Sequence, residues 1–117
     1  MSKPVAHYSL FHRAGDWVIV SGQLGLSDGA LVEGVEAQAR QALVNLASVL
    51  ESAGATMGDV AKCTVFMTDI SDFATINGIY AEAFGDHKPS RSAIAVAALP
   101  LGGLVEIEAW AYVGQQS

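Results

Sequence analysis

Three groups of residues have types and spacing that suit chemistry. In Pro89-Ser90-Arg91-Ser92 a guanidinium stands at the start of a predicted strand, ahead of Ala93, Ala95 and Ala97 on one side. A guanidinium among small neighbours has room to present its fork to a carboxylate through two parallel charge-assisted hydrogen bonds. A surface arginine paired with an acid gives the same pattern, and such pairs contribute little. In Leu104-Val105-Glu106-Ile107-Glu108-Ala109-Trp110, alternation puts Glu106 and Glu108 on the strand face that carries Trp110 and Tyr112. Beside buried apolar surface a carboxylate is desolvated, its pKa rises, and it becomes a usable general base. Two solvated glutamates on an exposed face are the commoner reading of the same pattern, since acidic residues are mostly exposed. The third group is Asn77, at helical spacing from Phe73, Tyr80 and Phe84, together with Ser21-Gly22 at a predicted strand end. An amide bordering an apolar stripe needs partners, and a glycine there lets a ligand approach the backbone. Capping or bridging a loop would occupy Asn77 as well.

The remaining reactive types are less suggestive. Cys63 is the single cysteine, which excludes an internal disulfide, and it fits a core position in its strand. His7, His12 and His87 have no ligand spacing, so no metal is expected. Ser21-Gly22-Gln23-Leu24-Gly25 is followed by no Gly-Lys-Ser/Thr, so no nucleotide is expected.

The elements that must position these residues follow from periodicity. Residues 16–23 are β-branched and aromatic after the turn signal Ala14-Gly15-Asp16, which predicts a strand with Tyr8 to Arg13 as its hairpin partner. Leu24 to Gly34 reads as a loop. Ala39, Leu43, Leu46, Leu50 and Ala53 then recur at three- and four-residue steps, an amphipathic helix over 35–53 that stops at Gly54. Residues 60–67 read as a strand. Ser71 is placed to cap a second helix, with Asp72 at the positive end of its dipole and Phe73, Ile76, Tyr80 and Phe84 as its apolar stripe, ending near Gly85. Two more strands are predicted over 91–98 and 104–113. The order is β-β-α-β-α-β-β, one domain over residues 1–117.

Two helices cover one face of such a sheet, yet the strands are apolar on both. Val18 and Val20 oppose Trp17 and Ile19; Val105 and Ile107 oppose Trp110 and Tyr112. A large apolar patch marks an interaction surface, which predicts a homo-oligomer burying the uncovered face. With 51% hydrophobic residues the 117-residue chain can build a core without staples. Its apolar runs are too short to span a bilayer, and Met1 to His7 lacks the apolar stretch of a secretory signal, so a cytoplasmic protein without a membrane partner is expected. Twelve acidic residues against 6 basic ones give a net charge of −6, which opposes binding to a phosphate backbone; no nucleic-acid partner is expected.

In order along the chain, Val20-Ser21-Gly22-Gln23, Gln38-Ala39-Arg40-Gln41-Ala42-Leu43, Lys62-Cys63-Thr64-Val65-Phe66-Met67-Thr68-Asp69, Asp72-Phe73-Ala74-Thr75-Ile76-Asn77, and Pro89-Ser90-Arg91-Ser92 through Val105-Glu106-Ile107-Glu108-Ala109 resemble the RidA/YjgF family. The paired arginine and glutamate are the most specific element. The resemblance implies a chorismate-mutase-like α+β fold, with two helices on one face of a mixed sheet, and a homotrimer with sites in the clefts between subunits. It further implies hydrolysis of small imines and enamines derived from amino acids, without a cofactor, to 2-oxo acids and ammonia. Arg91 then matches the residue that binds the substrate carboxylate and Glu106 the acid that positions the attacking water. Tyr8, Ser21, Gly22 and Asn77 match other pocket positions.

Leu10 and Phe11 stand where many members have Gln and a small residue, Leu24-Gly25 replaces a common Ile/Val-Pro, the loop before the first helix is shortened, and Ala93 takes a position that is often cysteine. Leu10 and Phe11 point to a narrower or more apolar rim, and the departures together point to a subfamily with another preferred ligand. A non-catalytic protein holding a carboxylate metabolite through Arg91 is the alternative reading. RNA cleavage, also attached to parts of the family, is disfavoured by the charge.

Overall fold

The computed structural model describes residues 8–114, so Lys3 and His7 lie outside the described residues. In chain order the elements are β1 (Phe11–Ala14), β2 (Trp17–Leu24), β3 (Leu26–Ser27), β4 (Ala30–Leu31), α1 (Val35–Ser52), β5 (Val60–Met67), α2 (Phe73–Phe84), β6 (Ser90–Ala95) and β7 (Val105–Tyr112). The main sheet runs β1-β2-β7-β5-β6. Only β5 and β6 pair in parallel, and α2 is the crossover that a parallel pair requires. This is the expected α+β architecture.

Helix α1 forms where the spacing predicts it. Ala39, Leu43, Leu46, Leu50 and Ala53 are all buried, and Gly54 ends the helix at φ 84°. Each buried leucine contributes ~1.5–3 kcal/mol from removal of its apolar surface from water. Beneath α1 and α2 lie Val18, Val20, Cys63, Val65, Met67, Val105, Ile107, Ala109 and Ala111, the alternate residues of the central strands. The other face of the sheet is uncovered. Trp17 and Trp110 are exposed there, and Trp17 sets its ring edge-on to Trp110 and Tyr112, with centroids 6.1 and 5.0 Å apart.

Several local expectations need correction. The segment read as a loop holds the small β3–β4 hairpin, turned at Asp28 and Gly29 with φ 53° and 82°, a turn chemistry too short to leave a periodic signal. The first strand begins at Phe11, not Tyr8. The strand read over 91–98 stops at Ala95 because its partner β5 stops at Met67, whose carbonyl takes the Val96 amide as the ladder ends. Asp69, not Ser71, does the capping. A single 3-10 turn (Ile70–Asp72) precedes α2, so the amide to be satisfied is that of Ser71; it donates to Asp69 Oδ1 at 2.9 Å, and the Ser71 hydroxyl donates to the same oxygen at 2.7 Å. These bonds hold the Asp69 carboxyl below its ordinary range. Phe73 leaves the core stripe of α2 and stays partly exposed. Among the described residues no helix is long and apolar enough to cross a membrane.

Candidate functional site

Arg91 sits on β6, an edge strand, in register with buried Cys63, so its side chain leaves the sheet on the side of the helices. There it meets one line of α2. Its Nη1 donates to Asn77 Oδ1 at 2.6 Å, and its guanidinium carbon lies 5.0 Å from the Tyr80 ring centroid and 5.6 Å from that of Phe73. Phe73, Asn77 and Tyr80 are spaced i, i+4, i+7, one stripe of a helix. The surface ion pair that local pattern allowed for Arg91 is not its arrangement. The one ion pair among the described residues joins Arg40 and Glu82 at 3.2 Å. One guanidinium N–H is taken by Asn77, and the fork has five, which leaves donors for a carboxylate.

Behind the arginine, the Tyr80 hydroxyl is buried against the Cys63 thiol. Burial, and then Cys63, push the phenol above its ordinary range; burial pushes the thiol up as well. Neither group is poised to titrate or attack near neutral pH.

Glu106 lies on the opposite side of the sheet. It alternates with buried Val105 and Ile107, and its cross-strand neighbours are Phe66 and Leu24. Burial among these groups, and secondly the Glu108 carboxylate, raise its pKa above the ordinary carboxylate range. Its side chain lies on the bare backbone of Gly22. A Cβ at Gly22 would stand 2.7 Å from Glu106 Cδ and 2.9 Å from Oε2. Ser21 and Gly22 do not end their strand, as expected from sequence, but form an irregularity inside β2, between Val20 and Gln23. Ser21 also ties in the start of the described chain: its amide donates to the Leu10 carbonyl at 3.0 Å and its hydroxyl to the Ser9 carbonyl at 2.6 Å, which brings Tyr8 next in sequence to this bulge.

The expected site residues therefore fall into two groups. Arg91 and Asn77 stand together on the helix side of the sheet edge; Ser21, Gly22 and Glu106 stand together on the open face, with the segment carrying Tyr8 tied beside them. One protomer does not bring Arg91 and Glu106 into contact, because β7 and β6 are separated by β5 and the two side chains leave opposite faces. Sequence reasoning placed Phe73 and Tyr80 in a core stripe and missed them as the bed of Arg91; the asparagine between them at helical spacing was the available signal. Among the described residues, no three of His, Cys, Asp and Glu are grouped to hold a metal ion.

The fold and this distribution define an α+β protein with a helix-bedded arginine at one sheet edge and a shielded glutamate on an open apolar face. The family model described as Endoribonuclease L-PSP matches residues 1–113. A 2-iminobutanoate/2-iminopropanoate deaminase of Salmonella typhimurium is 46% identical over 100 residues, 81% of this chain and 78% of that protein. The crystal structure of RidA from the Antarctic bacterium Psychrobacter sp. superposes with a TM-score of 0.92 at 42% identity, covering 94% of this chain and 91% of the other. The crystal structure of E. coli TdcF with bound serine superposes with a TM-score of 0.90 at 38% identity, with the same coverage. The chain belongs to the endoribonuclease L-PSP family, the family of RidA and YjgF.

Proposed function

We propose that this protein is a cofactor-independent hydrolase that deaminates small 2-imino acids, and enamines of the 2-aminoacrylate type through their imine tautomers, to 2-oxo acids and ammonia. The observation that carries the reading is the bedded Arg91, a cation held ready for a carboxylate, in a chain nearly half identical to a deaminase named for 2-imino acids. A relative with serine bound, an amino acid with the same carboxylate, supports the same ligand class.

Since one protomer separates Arg91 from Glu106, the reading requires a site shared between copies, with Arg91 of one protomer facing Glu106 of its neighbour across the open sheet face. A homotrimer with a site in each cleft, built from residues 1–117 as a single domain, meets that requirement. In it Tyr8, Ser21 and Gly22 line the Glu106 side of the cleft and Asn77 the Arg91 side. Arg91 fixes the carboxylate and so orients the imine carbon. Glu106 takes a proton from water as the oxygen adds to the protonated imine, forming a tetrahedral carbinolamine. Glu106 returns the proton to the nitrogen, the C–N bond breaks as the carbinolamine hydroxyl gives its own proton back to the Glu106 carboxylate, and ammonia leaves behind a 2-oxo acid. The protonated imine carbon is already electrophilic, so the step needs no cofactor. Residence in the cytoplasm accords with this role, because imines that hydrolyse in water must be met where they form.

The test is release of 2-oxo acid and ammonia from imines generated in situ, faster than spontaneous hydrolysis; no acceleration with any amino-acid-derived imine leaves only the carboxylate-binding alternative. Light scattering at micromolar concentration is expected to give three times the chain mass of 12.2 kDa, and a monomer mass would end the shared-site reading. Gly22→Ala forces the Glu106 carboxylate off its bed, so kcat is expected to fall by about 10²-fold, the scale of an ångström's misplacement, while the melting curve stays cooperative. Native turnover in Gly22→Ala would remove Glu106 from the water-positioning role.

A further inference from the structure

Arg91 is the long cationic side chain of an edge strand, with a neighbouring strand on one side only. Nothing in the sheet fixes its guanidinium plane. A carboxylate taken in by two parallel hydrogen bonds needs that plane set in advance, because ordering a free arginine at the moment of binding weakens affinity. Helix α2 supplies the missing walls. Tyr80 and Phe73 put their rings within the 6 Å range of cation–π attraction at 5.0 and 5.6 Å, and Asn77 takes one N–H at 2.6 Å between them. The Tyr80 ring is itself immobilised, buried with its hydroxyl toward Cys63 and its face tilted on Phe84 at a centroid distance of 4.7 Å.

We infer that Tyr80 and Phe73 are positioning residues whose rings hold the Arg91 guanidinium in the orientation that accepts a ligand carboxylate. The inference rests on the reading of Arg91 as the carboxylate-binding residue. It assigns the function to the aromatic face, not to the phenol: the buried hydroxyl makes no hydrogen bond to the arginine and lies toward the Cys63 thiol, a weak partner. Tyr80→Phe therefore keeps the function and Tyr80→Leu loses it.

The experiment is calorimetric titration of 2-oxobutanoate, a product-type carboxylate, and of its neutral amide into the native protein and its variants. Tyr80→Leu and Phe73→Leu are each expected to weaken 2-oxobutanoate binding by about ten-fold, the scale of a partly desolvated cation–π contact, and to leave amide binding unchanged. Tyr80→Phe is expected to bind both as the native protein does. In turnover, the leucine variants should raise KM with little change in kcat, as lost uniform binding does. Phe73 is 38% exposed, so Phe73→Leu keeps the test alive if Tyr80→Leu fails to fold. Native binding of 2-oxobutanoate in both leucine variants, with binding abolished in Arg91→Ala, overturns the positioning role alone. Equal loss for the amide points to a collapsed pocket and overturns it too. Undiminished binding in Arg91→Ala overturns both this inference and the reading beneath it.

Discussion

Arg91→Ala should lower kcat/KM for 2-imino acids by about 10²- to 10³-fold, the scale expected when two charge-assisted hydrogen bonds to a carboxylate are lost. The measurement is 2-oxo acid and ammonia formed above the spontaneous rate. The loss should be catalytic and not structural. Arg91 belongs to a short edge strand and is half-buried, and its removal leaves Asn77 on a partly exposed face where water can take its place. Arg91→Lys should recover only a small part of the activity, because an ammonium keeps the charge but loses the planar fork and its stacking on Tyr80 and Phe73. Turnover unchanged in Arg91→Ala would mean that the carboxylate is held elsewhere.

Glu106→Gln should remove about 10²- to 10⁴-fold from kcat, the range for a positioned general base, while 2-oxobutanoate still binds. Loss of both would make Glu106 a structural residue. The native pH profile should carry an acid limb in which activity rises as Glu106 ionises. Its midpoint lies above the ordinary glutamate value of about 4.3, because burial and then Glu108 disfavour the charged form. Glu106→Gln abolishes that limb. The sign for stability is the reverse. A carboxyl whose pKa is raised by folding stabilises the fold below the unfolded pKa, and that contribution is lost as pH rises through the folded one. The charged native side chain is thus unfavourable at neutral pH, so Glu106→Gln should melt at the same temperature as the native protein or higher at pH 7, with the difference vanishing in acid.

The two variants together also examine the shared site. If Arg91 and Glu106 come from different copies, unfolding and refolding an equal mixture of Arg91→Ala and Glu106→Gln chains restores activity. In a closed ring assembled at random about one interface in four then carries both native residues. No recovery would place both residues in one copy's site, against the opposite faces they occupy here.

How much of this was legible in advance varies by element. The hydrophobic period of residues 35–53 is long and regular, and a stripe of Ala39, Leu43, Leu46 and Leu50 has one stable use, against a sheet. The second helix is shorter, and the stripe its spacing predicts holds at Ile76, Tyr80 and Phe84 but not at exposed Phe73. Periodicity reports which residues share a helix face, not whether the edge of that face overhangs the core or a neighbouring arginine. In the turn before it Asp69 and Ser71 are both good caps by residue type, and the intervening 3-10 turn that decides between them depends on where β5 ends.

The same division holds for the site. By itself the sequence determined the fold class and the open apolar face, since period-2 and period-3.6 patterns are properties of neighbours along the chain; local residue types made Arg91 and Glu106 candidates only, and it is their match to family positions that gives them the roles proposed here. Only the tertiary structure decided that Ser21 and Gly22 lie in a bulge and not at a strand end, that Gly22 is bare because a carboxylate rests on it, and that Arg91 lies on aromatic rings. It also decided that Arg91 and Glu106 leave opposite faces of one sheet. Each of these depends on register between strands distant in sequence, where a slip of one residue would turn every side chain to the other face.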